Sequence, residues 1–342
     1  MDFNDFDKQE EISMSIEEEK THKRLFSRIC LAFLTYILLS QSLVILASFA
    51  FPDLFKSQTF SLILSSAIQY LLAFPVFYWM IKKVPAASPV RSTITAREFI
   101  KYTAVATFFM YVGNNISLAI MTSVEEQFGS MPENSVETIL TENNHILSLV
   151  LVGIIAPIIE ELIFRKLLID RTTPYGEKTA VFFSALVFGL LHGNLYQFFY
   201  AFLIGLILSI VYVKTGKIIY STVIHCFINI FFGVFSSYLL SLLDIDQILE
   251  YAQQGMIPEE YIEANMTPLL IYCGYILVFY ALIFVGLFSL NRMFFTLRFQ
   301  KGKVLLPKGK SLEIIFFNPG AIALISVCIA LMAISTFTFA LA

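Results

Sequence analysis

Long apolar runs separated by short polar segments organise this chain. A window long enough to cross about 30 Å of hydrocarbon picks out runs near residues 25–51, 59–81, 99–121, 146–170, 178–194, 196–214, 217–243, 268–290 and 316–341. The pattern predicts an all-α, polytopic membrane bundle of about nine transmembrane helices. The narrowest break falls at Gly193-Asn194, where two runs are separated by almost nothing, so a very tight turn or a broken helix must lie there. The first run follows a polar stretch and far exceeds a signal-peptide core of about 7–15 residues. It is read as a retained first span.

Composition agrees with that pattern. Hydrophobic residues make up 57% and charged residues only 14%, with a mean hydropathy of +0.75, far from the usual soluble composition. The net charge of −3 points away from a nucleic-acid partner. Its distribution along the chain is more useful than its total. Basic residues cluster before the first span (Lys20, Lys23, Arg24, Arg28), after the second (Lys82, Lys83, Arg91, Arg97), after the fourth (Lys166, Arg171, Lys178), after the sixth (Lys214, Lys217) and after the eighth (Arg292 to Lys310). The long segments 123–145 and 244–267 are acidic and hold no Lys or Arg. Positive residues collect on the cytoplasmic side, so the N-terminus is predicted cytoplasmic and the C-terminus external, in a multi-pass protein of the cell membrane.

Four segments follow. Residues 1–24 form an acidic cytoplasmic tail, 25–122 the N-terminal membrane helices, 146–232 a polar-bearing core, and 233–342 the C-terminal helices and loops. No internal repeat of the kind that builds two-halved transporters is visible. The four cysteines, Cys30, Cys226, Cys273 and Cys328, all fall in apolar runs without a CxxC spacing and read as buried small hydrophobes.

The core carries the chemistry. Span four holds "IIEELIFRKLL" (158–168), with Glu160, Glu161 and Arg165; span five ends in "FGLLHGN" (188–194), with Phe188 and His192; span seven holds "HCFIN" (225–229), with His225 and Asn229. A charge near a bilayer centre costs about 2.5 to 3.5 kcal/mol on insertion scales, so such residues need a job or a partner. Helix geometry sorts them. Glu161 and Arg165 are i, i+4 neighbours able to pair, while Glu160 lies about 100° round the helix and can face a cavity. His225 and Asn229 share a face, as do Phe188 and His192. At about 1.5 Å per residue, Glu160 and Asn229 lie about 18 Å, and His192 about 24 Å, from their cytoplasmic ends, so the group converges near mid-membrane.

Such a group suits water activation. A glutamate in a low-dielectric pocket becomes a better general base, an imidazole can share in deprotonating the water, and a second histidine with an asparagine amide can donate to an oxyanion.

Glu160-Glu161-x-x-x-Arg165, Phe188-x-x-x-His192 and His225-x-x-x-Asn229 resemble, in order, the EExxxR, FxxxH and HxxxN motifs of the CAAX protease and bacteriocin-processing intramembrane proteases, also called the Abi family and including the type II CAAX prenyl endopeptidases. The resemblance covers about residues 146–232. It implies an endopeptidase cleaving a membrane-associated or lipidated peptide or protein, in which Glu160 and His192 activate water, His225 and Asn229 stabilise the oxyanion, and Glu161 and Arg165 support the site. The implied partners are the lipid bilayer and that substrate.

Other readings stay open. Two histidines and two carboxylates could hold Zn²⁺, with Glu160, His192 and His225 as ligands. Without an HExxH, water activation that requires no cofactor is the expectation and a zinc enzyme the alternative. Midplane Glu and His also suit a proton-coupled carrier, and a non-catalytic scaffold or bacteriocin-immunity protein could keep the motifs. Among individual residues, Glu161–Arg165 reads equally as a structural ion pair or as a direct participant, Phe188 as packing, Gly189 and Gly193 as a close helix contact, Asn114 and Asn115 as interhelical hydrogen bonders, and His145 as a loop residue.

Overall fold

The computed structural model describes residues 14–129, 134–142, 144–307 and 309–337. Among these the regular structure is entirely helical. Nine principal helices follow the predicted runs: α1 (Ile16–Ala50), α2 (Gln58–Ile81), α3 (Ala96–Phe128), α4 (His145–Tyr175), α5 (Glu177–Leu191), α6 (Leu195–Thr215), α7 (Ile218–Ser241), α8 (Met266–Thr296) and α9 (Pro319–Phe337). Eight are long and apolar enough to cross a membrane.

The exception is α5. Its 15 residues reach only about 22 Å, short of the hydrocarbon thickness. The run stops at the tight turn its sequence announces: Gly193 takes φ +66°, and Asn194 caps α6 by accepting from the Gln197 N–H at 2.9 Å while its amide donates to the His192 carbonyl at 3.0 Å. Of the two glycines read as a contact pair, only Gly189 serves that purpose: a Cβ there would sit 3.0 Å from the Phe198 carbonyl of α6. Gly193 makes the turn, because its positive φ is one that side chains avoid.

Residues 16–24 of the predicted tail are helical. Residues 1–13 lie outside the described residues, and α1 begins at Ile16 behind a capping box in which Ser15 and Glu18 exchange hydrogen bonds. Glu19 then pairs with Lys23 at 3.0 Å and Lys310 at 2.6 Å, and Lys23 reaches Glu313 at 2.6 Å, so residues 16–24 are ordered helix.

Those pairs belong to a locked end of the bundle. Asp170 accepts from Ser88 (2.6 Å), Lys166 (2.7 Å) and the Tyr212 hydroxyl (2.7 Å), and Arg171 donates to the Ile81 carbonyl at 2.8 Å. Lys214 pairs with Glu177, and Val304 N–H donates to the Pro174 carbonyl at 2.9 Å. The loops carrying the basic clusters therefore gather at one end, as alternating topology requires. At the other end Ser237 donates to the Leu140 carbonyl (2.9 Å), and His145, the first residue of α4 and not a loop residue, approaches Ser241 at 3.3 Å.

Two apolar clusters build the interior. One joins α1, α2, α4, α5 and α9 through residues such as Phe26, Phe33, Phe77, Leu168 and Phe183; the other joins α3, α6 and α7 through Val105, Ile207, Val211 and Ile224. Cys30 and Cys328 are buried as expected, Cys226 is half-buried, and Cys273 is exposed on the outer face of α8, where an apolar thiol can face lipid as readily as protein. Asn115 also departs from expectation, its amide donating to Tyr111 one turn back in its own helix; Asn114 lines a cavity described next.

Candidate active site

Local helix geometry aims the motif residues. The stretches Leu149–Ile155 and Leu162–Ile169 of α4 are wound as π-helix, leaving only Ala156–Glu161 as α-helix between them. Pro157 stands at that junction and has no N–H to close an α-type bond. In α7 another π stretch starts at Asn229 itself, and α2 carries one at Ile68–Ala73. Such wide turns often mark functional sites, and they free carbonyls from the helical ladder: the Val152 carbonyl accepts from the Asn229 amide at 2.9 Å, tying α7 to α4.

The two glutamates part as the helix geometry predicts. Glu161 and Arg165 are both fully buried and pair at 3.2 Å. The contact is one of charge more than of hydrogen bonding, since neither facing atom is aligned as donor and acceptor. The Arg165 Nη1 donates to Ser184 of α5 at 3.0 Å, and Ser184 in turn donates to the Phe164 carbonyl. Its guanidinium lies 5.0 Å from the centre of the Phe188 ring, a cation–π arrangement. Glu160 keeps a quarter of its side chain, 24%, exposed.

His225 stands between them. Its Nδ1 is 3.1 Å from Glu161 Oε1 and its Nε2 is 3.5 Å from Glu160 Oε2. A carboxylate only accepts, so Nδ1 donates to Glu161. His192 closes the C-terminal end of α5, with Nδ1 2.7 Å from the Phe188 carbonyl. That carbonyl also only accepts; Nδ1 therefore holds a proton, and in the neutral ring Nε2 keeps its lone pair. Phe188, 2% exposed, wedges edge-on between the two imidazoles at 4.9 Å and 5.7 Å, and so fixes both rings.

Glu160, Phe188, His192, His225 and Asn229 line one cavity of about 410 Å³. Glu161 and Arg165 lie behind its wall. Among the described residues, no group of three or more His, Cys, Asp or Glu side chains is placed to hold a metal ion, and both nitrogens of His225 already face carboxylates.

Residues 142–231 match the family model of the Rce1-like type II CAAX prenyl endopeptidases. The matched Rce1-like segment contains all seven motif residues and the cavity wall they form, and leaves α1–α3, α8 and α9 outside. Neither the curated proteins nor the solved structures give a significant match.

The Rce1-like segment does not complete the cavity alone. Met110, Tyr111 and Asn114 of α3 and Tyr275 and Phe279 of α8 close one side, with Tyr196, Gln197 and Tyr200 following the turn after His192. The polar positions in "NLYQFFY" (194–200) are a signal in sequence, since they open a helix directly after the motif. The contributions of α3 and α8 depend on long-range packing and have none.

Proposed function

We propose that this multi-pass membrane protein is an intramembrane endopeptidase of the cell membrane, hydrolysing a peptide bond of a membrane-associated or lipidated peptide or protein. The observation that carries the reading is the meeting of a partly exposed carboxylate, two imidazoles and a carboxamide in one cavity, with the second carboxylate neutralised behind it. The Rce1-like match over the same residues supports it.

In this mechanism a water oriented by the free Nε2 of His192 attacks the scissile carbonyl carbon as Glu160 takes its proton, and the tetrahedral intermediate collapses with cleavage of the C–N bond as that proton passes to the leaving amine. General acid–base help of this kind contributes about 10²- to 10⁴-fold. His225 and Asn229 serve the oxyanion. For His225 to donate from Nε2 as well as from Nδ1 it must carry both protons, and the carboxylates on either side balance that charge. One amide hydrogen of Asn229 is held by Val152; the other is left for the substrate. Glu161 and Arg165 position His225 and Phe188. The reaction as written needs no cofactor.

The test compares membrane and secreted peptides of cells carrying the wild-type chain, Glu160→Gln or His192→Ala. A peptide that accumulates uncut in both variants, with the protein folded and inserted, supports hydrolysis and names the substrate. Identical peptide profiles would favour a scaffold, and solute flux without any peptide product would favour a carrier.

A further inference from the structure

The cavity is closed on one side and built toward the other. Behind Glu160 and His225, toward the end where the basic loops gather, come the fully buried Glu161, Arg165 and Ser184, then Leu168, Leu208 and Val211, each with no exposure. Behind these lie the Asp170–Tyr212 bond and the Lys214–Glu177 pair, which fasten that end. No lining residue comes from those layers.

In the opposite direction the lining continues. On α4 it climbs from Glu160 through Ala156 to Val152, toward His145; on α7 it climbs from His225 through Asn229 to Gly233, toward Ser241. Asn134 and Leu140, from the polar segment between α3 and α4, complete it. This is the end of the acidic segments 123–145 and 244–267, which hold no Lys or Arg. Cytoplasmic loops are the ones enriched in Lys and Arg.

We infer that the site is served from the extracytoplasmic side: water and a peptide segment presented on the outer face of the membrane reach Glu160 through the end formed by Asn134, Leu140 and Gly233, and not past the basic end. The inference rests on the hydrolase reading for its substrate, but its geometry stands apart from catalysis.

The experiment reads sidedness by thiol labelling. A membrane-impermeant maleimide is applied to sealed right-side-out and inside-out vesicles carrying Gly233→Cys, Asn114→Cys or Lys303→Cys, and label is counted above that of the parent chain. A Cβ at Gly233 meets its nearest neighbour, Leu140, at an ordinary 3.6 Å, so the variant fits, and Lys303 is an exposed residue of the basic end. Gly233→Cys and Asn114→Cys are expected to label in right-side-out vesicles only, and Lys303→Cys in inside-out vesicles only. Cavity positions that label from the same side as Lys303→Cys, or from neither side, overturn the inference; so does Lys303→Cys labelling from outside. If Glu160→Gln leaves processing intact, the hydrolase reading falls while the sidedness result stands. If Glu160→Gln stops processing but Gly233→Cys labels from the basic side, the sidedness inference alone falls.

Discussion

Glu160 and Glu161 are neighbours in sequence, identical in chemistry and opposite in circumstance. Glu161 is fully buried against Arg165 and the Nδ1 of His225; Glu160 meets only the Nε2 of His225 at 3.5 Å and keeps a face toward the cavity. One helical step separates a carboxylate enclosed by its partners from one that also faces the cavity. The expense of a charge inside a membrane is thus met in two ways, by pairing for Glu161 and by reactivity for Glu160. The comparison extends along the molecule: the side behind Glu161 is layered, paired and locked, and the side before Glu160 is hollow.

If the two carboxylates differ in this way, their removal should act on different observables. Glu160→Gln keeps size and hydrogen-bonding capacity and should lower peptide cleavage by about 10²- to 10⁴-fold while leaving thermal unfolding in detergent unchanged. Arg165→Met should act first on the fold: it removes the guanidinium partner of a buried Glu161, destabilising the protein by about 3 to 5 kcal/mol, and the loss of activity per folded molecule should be smaller than that of Glu160→Gln. Adding Glu161→Gln to Arg165→Met should recover part of that stability, because the uncompensated charge is gone. A double variant less stable than Arg165→Met alone would contradict the pairing. Tyr212→Phe removes one of three donors to Asp170 and should cost about 1 to 2 kcal/mol in the same unfolding assay, with the activity of the folded protein unaltered. The smallest effect belongs to the hollow side: exhaustive chelation should leave cleavage unchanged, and loss restored by zinc would replace water activation by Glu160 and His192 with metal chemistry.

Much of this contrast was legible in the sequence. Hydropathy located all nine helices to within a few residues at most ends, although α1 and α3 extend further, because length and apolarity are what a bilayer demands. The i, i+4 spacing of Glu161 and Arg165 predicted their pair, and the three motifs predicted a common cavity. What the sequence could not show follows from backbone and packing. A hydropathy window counts apolar residues without regard to where the chain turns, so α5 passed for a full span. The π turns around Ala156–Glu161 have no periodic signature beyond Pro157. That His225 contacts both glutamates depends on how α7 leans on α4, fixed in part where Gly153 meets Ile230, with 2.9 Å between that side chain and a Cβ built on the glycine. Tyr275 and Asn114 enter the cavity from helices outside the motif segment.

The account rests on Glu160 acting chemically and not as a structural charge. The most direct test is cleavage of the accumulated peptide by purified, folded Glu160→Gln beside the wild-type chain, with Glu161→Gln read in the same assay per folded molecule. The account predicts that Glu160→Gln melts like the wild type and cleaves at least about 10²-fold more slowly, whereas Glu161→Gln loses stability and, with His225 less firmly held, cleaves more slowly than the wild type per folded molecule but faster than Glu160→Gln. A folded Glu160→Gln protein that cuts the peptide at the wild-type rate would contradict it.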